Sequence, residues 1–328
     1  MVIGVWGGVG LKQRAVIFVA NMGEDSITLY DSNSYELIRK FELKPAGSKL
    51  MNINYYARGP VTGPGYLYHR KTKEQLLVVN TYDDSLSIID LNSMETVNTI
   101  FAGSHPDRIE VLEIRDRAFI TNYDSDSVSV IDLQFQEIIG QIPCGIMPRS
   151  IVLDKNSNYL YIANTGSGYI SVIDALSMDK LDCFKVNGYP VDICCDSAGE
   201  RLYAIISFSE GLDGYNLVEY EIASGRKLNC IRLGSMPVDL LYDEKNGRLY
   251  VADGADNRLA VIDSGSFILQ SKTELGRMPV SQSLGPGGKY LHVVCMMDNC
   301  LCKVNPNTGL VEKNVCTGRE PACVLAVF

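Results

Sequence analysis

The residues in this chain that could do chemistry occupy a recurring place rather than one cluster. His105, Met147, Tyr189, Met236, Met278 and Glu320 each stand directly before a proline, and those prolines (106, 148, 190, 237, 279, 321) follow at steps of 42, 42, 47, 42 and 42. Just beyond them come Asp107, Arg108, Arg149, Asp192 and Asp239, and a second set (Asn80, Tyr82, Asn122, Tyr123, Asp124, Asn164 and Asp253) falls in Asn- or Asp-led turns. Acids, arginines, a histidine, tyrosines and thioethers are the groups a polar-ligand site needs. In such a site His105 or Glu320 could serve as a general base, while Arg108 or Arg149 held a carboxylate or phosphate. The same residue types also have structural uses. Pro and Asn form turns, and Asp192 and Asp239 can accept hydrogen bonds from backbone amides beside a turn.

The soft side chains form a third group. Met147, Met236 and Met278 fall at equivalent positions, with Met22, Met296 and Met297 in the other loops. Thioethers and thiols suit Cu(I), but a mobile Met rim is more often an adaptable surface for a partner. Cys300-Leu301-Cys302 puts two thiols on one side of a strand, and Cys194-Cys195 is adjacent. No second pair stands at a zinc-site spacing, so the expectation is no metal site, no cofactor, and ten cysteines acting as small buried hydrophobes. So many unpaired thiols point to a reducing, cytoplasmic setting.

Composition narrows the partners. A formal charge of −9 argues against a broad nucleic-acid surface, since that affinity rests on Lys and Arg displacing counterions. No apolar run approaches a membrane span, and Met1–Gly10 lacks the basic start and cleavage site of a secretion signal. That leaves an unidentified protein, peptide or small ligand as the partner.

The elements that position these residues come from a repeat. NTYDDSLSIID closes at Asp90, NYDSDSVSVID at Asp132, NTGSGYISVID at Asp174 and DGADNRLAVID at Asp263, with weaker copies closing at Asp31, Glu221 and Asn305. Their spacing matches that of the prolines, except for 59 residues between Asp31 and Asp90. Seven units result, each reading as four short strands: in one of them Ser150–Asp154, Tyr159–Ala163, Tyr169–Ile173 and about 180–186. A period near 42 with four strands per unit predicts an all-β, seven-bladed β-propeller spanning 1–328 as one domain, with 1–14 as a tail packing Trp6 on it. The chain opens at a second strand (15–20) and ends on a first-strand sequence, so 322–328 should join the first blade and close the ring. The strand-ending acids Asp31, Asp90, Asp132, Asp174 and Asp263 should cap turns on the face opposite the proline loops.

At this point the chain resembles the YVTN-type β-propeller repeat family. The motif is Tyr161-Ile-Ala-Asn164, Val251-Ala-Asp253 and Val19-Ala-Asn21, followed by Val/Ile-Ser-Val-Ile-Asp and Gly-x-x-Pro. It departs from that pattern at Ala204-Ile-Ile-Ser207 and Val294-Cys-Met-Met297. The resemblance implies a seven-bladed propeller with varied binding roles and no single reaction. Two insertions break the beat. One of seventeen residues (59−42), placed at about 57–74, is expected between the first two strands of the second blade. One of five (47−42), at about 207–216 with Glu210, Asp213 and Tyr215, is expected on the proline-loop face. Neither G-x-S-x-G nor H-E-x-x-H occurs. The expected function is therefore a non-enzymatic binding module at the channel mouth. A lactonase-like hydrolase using the same mouth is the alternative, and Met/Cys metal or redox handling a weaker one.

Overall fold

The computed structural model describes residues 15–45, 60–207 and 215–328. Seven four-stranded antiparallel sheets form, all in strand order one to four from the centre outward. Blade one comprises Val16–Asn21, Ser26–Asp31 and Leu37–Glu42, with Pro321–Val327 as its inner strand. Blades two to seven occupy 64–101, 106–143, 148–185, 189–232, 237–274 and 279–316. The inner strands neighbour one another around a complete ring, so the chain is a seven-bladed β-propeller. Among the described residues there is no α-helix, and no helix long and apolar enough to cross a membrane.

Each blade buries both faces of its middle strands. In blade three Arg117–Asn122 and Ser127–Asp132 are buried along all but one residue each. Leu77, Val79 and Ile88 of blade two meet Ile109, Val111 and Ile120 of blade three, and the same layer recurs between successive blades. Fully burying one such side chain contributes roughly 1.5–3 kcal/mol, so the interblade layers dominate stability. Outer strands such as Asp179–Lys185 are exposed along nearly their whole length.

The inner strands are held laterally by side chains. Ser150 Oγ accepts from Ile193 N (3.3 Å), Asp192 Oδ2 from Leu240 N (2.8 Å), Asp239 Oδ2 from Gln282 N (3.0 Å) and Ser281 Oγ from Val324 N (3.2 Å). Each bond runs from one blade to the next, supplying a partner for an inner-edge amide that no strand pairs. On the opposite face the strand-ending acids do cap turns. Asp90 Oδ1 accepts from Asn92 N and Ser93 N, and Asp132 Oδ1 from Gln134 N and Phe135 N.

The large insertion sits elsewhere than its sequence register implied. Pro64–Arg70 is the inner strand of blade two, joined to Gln75–Asn80 by a short turn. Pro64 precedes Pro106 by the same 42 residues (106−64), so the proline series begins one blade earlier. The extra chain therefore precedes Pro64, between the outer strand of blade one and the inner strand of blade two, rather than between the first two strands of blade two. Of that chain 46–59 lie outside the described residues, as do the 1–14 tail with Trp6 and positions 208–214 of the second insertion.

Ring closure rests on the pairing of Val16–Asn21 with Pro321–Val327, from Val16↔Val327 to Asn21↔Pro321. Deleting 321–328 strips the buried strand Val16–Asn21 of its inner partner and leaves an open edge. Loss of the cooperative thermal transition and aggregation on size exclusion are expected; an unchanged monomer with an unchanged Tm would refute closure as a requirement.

A buried histidine makes stability pH-dependent. His292 is 1% exposed; its Nδ1 meets the Tyr35 hydroxyl, and its Nε2 has no partner among the described residues. Burial, with Lys303 adding to it, pushes its pKa down to about 4. Between pH 6.5 and 4 the unfolded chain binds a proton that the folded chain refuses, so this contribution falls as pH falls, by up to about 3 kcal/mol. Glu110 and Asp239, pushed up by burial to about 7 and about 6, act in the opposite sense. The His292 contribution is therefore read as a difference: Tm should drop less from pH 6.5 to 4 in His292→Gln than in wild type, and parallel curves would remove it.

Candidate functional site

The proline loops and the turns between second and third strands meet on one face, as their spacing implied, and are bonded together there. Tyr123 N donates to His105 O (3.0 Å), Thr165 N to Met147 O (3.0 Å), Gly254 N to Met236 O (2.9 Å) and Met296 N to Met278 O (2.8 Å). His105, Met147, Met278 and Glu320 adopt left-handed backbone, with φ of 52, 55, 57 and 51°. That conformation is disfavoured for residues with a side chain, and a second bond helps to hold it. Each of their amides donates to an Asp or Asn oxygen 21 residues earlier, as with His105 N to Asp84 Oδ1 (2.8 Å) and Met147 N to Asp126 Oδ1 (3.0 Å). Gly63 (φ 57°) takes this place in blade two, where a Cβ would come within 2.4 Å of the Tyr82 ring. The backbone of the rim is thus fixed.

Below the rim a ring of equivalent positions runs Tyr66, Arg108, Ser150, Asp192, Asp239, Ser281 and Cys323, one from each blade. Arg108 reaches across it, with Nη2 3.3 Å from Asp239 Oδ1 and 4.0 Å from Asp192 Oδ2, and its guanidinium 4.5 Å from the Tyr66 ring centre. Burial opposes the charge on Arg108, but Asp192, Tyr66 and Asp239 outweigh it and lift its pKa well above the ordinary value. Asp239 is pushed up by burial, only partly offset by Arg108. Both carboxylates also accept the interblade amide bonds described above. Arg108, Asp192 and Asp239 therefore form a structural ionic plug rather than free ligand-binding groups; removing one partner of such a buried set typically costs about 3–5 kcal/mol.

The accessible chemistry lies on blades three and four. His105 Nδ1 is 3.5 Å from Asp124 Oδ2, its ring 5.6 Å from that of Tyr123, and its side chain 45% exposed. Arg149 Nε is 3.6 Å from Asp107 Oδ2, with its side chain 40% exposed. Exposed pairs of this kind add little stability, so both are free to be used on a ligand. Tyr82, Met147, Tyr189 and Glu320 are also exposed; Met236, Met278 and Tyr123 are half-buried.

Asn80, Asn122 and Asn164 do not join the mouth. All three are fully buried. Each ends a second strand, and its side chain turns into its own sheet: Asn80 Nδ2 donates to Ser85 Oγ and Ser87 Oγ, Asn122 Nδ2 to Ser127 Oγ and Ser129 Oγ, Asn164 Nδ2 to Ser171 Oγ. They fasten the second strand to the third. A residue the sequence reading passed over is Cys295, which hairpin pairing places opposite Cys300. Its Sγ and those of Cys300 and Cys302 all lie within 4.8 Å of one another.

No family model matches the chain, and no curated protein matches it. Solved structures do. A provisionally assigned 6-phosphogluconolactonase from Bacteroides fragilis superposes with a TM-score of 0.74 at 17% identity, over 98% of this chain and 100% of that one. Another so assigned, from Bacteroides uniformis, gives 0.74 at 15% identity, over 96% and 99%. The hydrazine synthase of Kuenenia stuttgartiensis gives 0.72 at 19% identity, over 80% and 89%. At these identities the likeness is one of fold.

Proposed function

We propose that this chain is a lactonase-like hydrolase, acting on a small anionic lactone or ester at the mouth over blades three and four. The observation that carries it is the pair of solvent-facing dyads, His105–Asp124 and Arg149–Asp107, mounted on adjacent blades. Asp124 faces Nδ1 and so favours the tautomer whose Nε2 is free to take a proton from water. That water adds to the lactone carbonyl, the ring C–O bond breaks, and the proton passes to the departing alkoxide, giving a hydroxy acid. Arg149, oriented by Asp107, would hold a carboxylate or phosphate on the substrate. The likeness in fold to two proteins provisionally assigned as 6-phosphogluconolactonases supports this reading. Ten unpaired cysteines fit a reducing, cytoplasmic setting for it.

A binding role without catalysis is the second reading. It is favoured by Tyr82, Ile146, Met147 and Met297, which are 40–60% exposed on the loops of this face and offer an apolar rim to a protein or peptide.

The two part on a panel of phosphorylated and neutral sugar lactones assayed by acid release. Turnover above spontaneous hydrolysis is expected, with kcat about 100-fold lower in His105→Gln, the scale of a lost general base. Arg149→Met should raise KM for the anionic lactones and leave the neutral ones unchanged. A wild-type rate no faster than buffer would leave only the binding reading.

A further inference from the structure

Three of the blades share one hydrogen-bonded triad: an Asn ending the second strand, and small hydroxyl residues five and seven positions later. It is Asn21/Ser26/Thr28 in blade one, Asn80/Ser85/Ser87 in blade two and Asn122/Ser127/Ser129 in blade three; blade four keeps Asn164 and Ser171. In blade seven all three places are cysteine: Cys295, Cys300 and Cys302. Blade six shows what relaxation of the triad looks like, with Asp253, Arg258 and Ala260, three unrelated types. Replacement of every member by the same side chain is a different pattern. Filling space does not require it, because a thiol cannot reproduce the strong Asn-to-hydroxyl bonds and a single apolar residue would fill the slot as well.

The geometry is that of a ligand set. Cys295 and Cys300 are cross-strand partners, and Cys300 and Cys302 share a face of their strand. The Sγ atoms of Cys300 and Cys302 are 3.9 Å apart, and all three lie within 4.8 Å. Three sulfurs around one ion at a metal–sulfur distance of about 2.3 Å stand about 4.0 Å apart in a plane. The cluster needs only a small contraction to reach that. All three residues are at most 5% exposed, packed among Val261, Leu259 and Val293 between blades six and seven. They lie directly under the turn 296–299, at the mouth end of the blade, and bare Gly276 sits over them: a Cβ there would approach Cys295 Sγ to 3.2 Å.

We propose that Cys295, Cys300 and Cys302 form a three-sulfur site for a soft monovalent ion, Cu(I). Thiolates select soft ions over hard ones. Coordination number selects among the soft ones: three deprotonated sulfurs around one ion give a trigonal site, whereas Zn²⁺ calls for a fourth ligand in a tetrahedral arrangement. The thiol protons leave to solvent as the ion enters. This site is separate from the His105 and Arg149 dyads, and its fate is independent of the hydrolase reading.

The test uses reduced, full-length protein without oxygen, in a background carrying Cys183→Ala and Cys230→Ala to remove two exposed thiols on other blades. Cu(I) is offered from its complex with bicinchoninate. One equivalent should be withdrawn, with X-ray absorption showing three sulfurs at about 2.3 Å. The triple variant Cys295→Asn, Cys300→Ser, Cys302→Ser restores the triad of blades two and three, so it should keep the fold and its Tm while losing Cu(I) affinity at least 100-fold. Equal binding by the triple variant would overturn the site, as would a disulfide among these three thiols in protein alkylated directly on lysis. If the triple variant unfolds, Gly276→Ala serves instead: pressing on Cys295, it should weaken Cu(I) withdrawal, and unchanged withdrawal counts against the proposal.

Discussion

A blade here cannot exist alone. Its middle strands are buried on both faces, so each sheet needs a neighbour on either side, and only a ring gives every sheet two. Closure follows from that burial rather than being added to it. The strand Pro321–Val327 completes blade one because Val16–Ala20 would otherwise present buried apolar residues along an unpaired edge. The side-chain latches serve the same demand at the centre. Packed sheets bring inner strands side by side at a distance that backbone pairing does not span, and Ser150, Asp192, Asp239 and Ser281 supply the missing acceptors. The single Arg108 guanidinium then offsets part of the charge of the two acids this arrangement has buried.

That division of labour separates structure from chemistry on the mouth. Residues whose backbones are fully bonded, such as His105 and Met147, hold their side chains over solvent from fixed positions. Residues whose side chains are spent on backbone amides or on each other are unavailable, however polar they are. Fixed placement with free functional groups is what a ligand or a reacting carbonyl requires. His105 and Arg149 meet both conditions; Asp192 and Asp239 are fixed in place but not free.

The fold was legible because a period survives divergence: a 42-residue beat in two landmarks counts the blades without any knowledge of packing. Side-chain direction was less legible. Asn80 and Asn122 head the turns that carry Tyr82 and Tyr123, yet the Asn side chains are buried in the sheet while Tyr82 is exposed and Tyr123 half-buried. Nothing in local sequence says that Arg108 meets Asp239, because 131 residues and three blades separate them and only the ring brings them together. The large insertion was misplaced because the first proline of the series, Pro64, stands within a stretch that otherwise reads as loop: Gly-Pro at 59–60 and again at 63–64 marks two turns, and only the second is in register.

A repeat also supplies its own controls, and this is where sequence and structure together reach further than either does alone. Within one chain, equivalent positions share backbone, burial and strand pairing, so their differences reflect what each side chain does. The Asn-to-hydroxyl triads satisfy buried polar groups inside a sheet, a requirement any blade can also escape by turning apolar. Blade seven does neither. It keeps three polarisable groups in the same geometry and exchanges oxygen and nitrogen for sulfur at every one. Sulfur is a poor hydrogen-bonding atom and a strong ligand for soft ions, so the exchange lowers the value of the slot as a fastener and raises it as a binding site. Spacing in sequence shows only the Cys300–Cys302 pair; the third ligand comes from the hairpin register that sets Cys295 against Cys300.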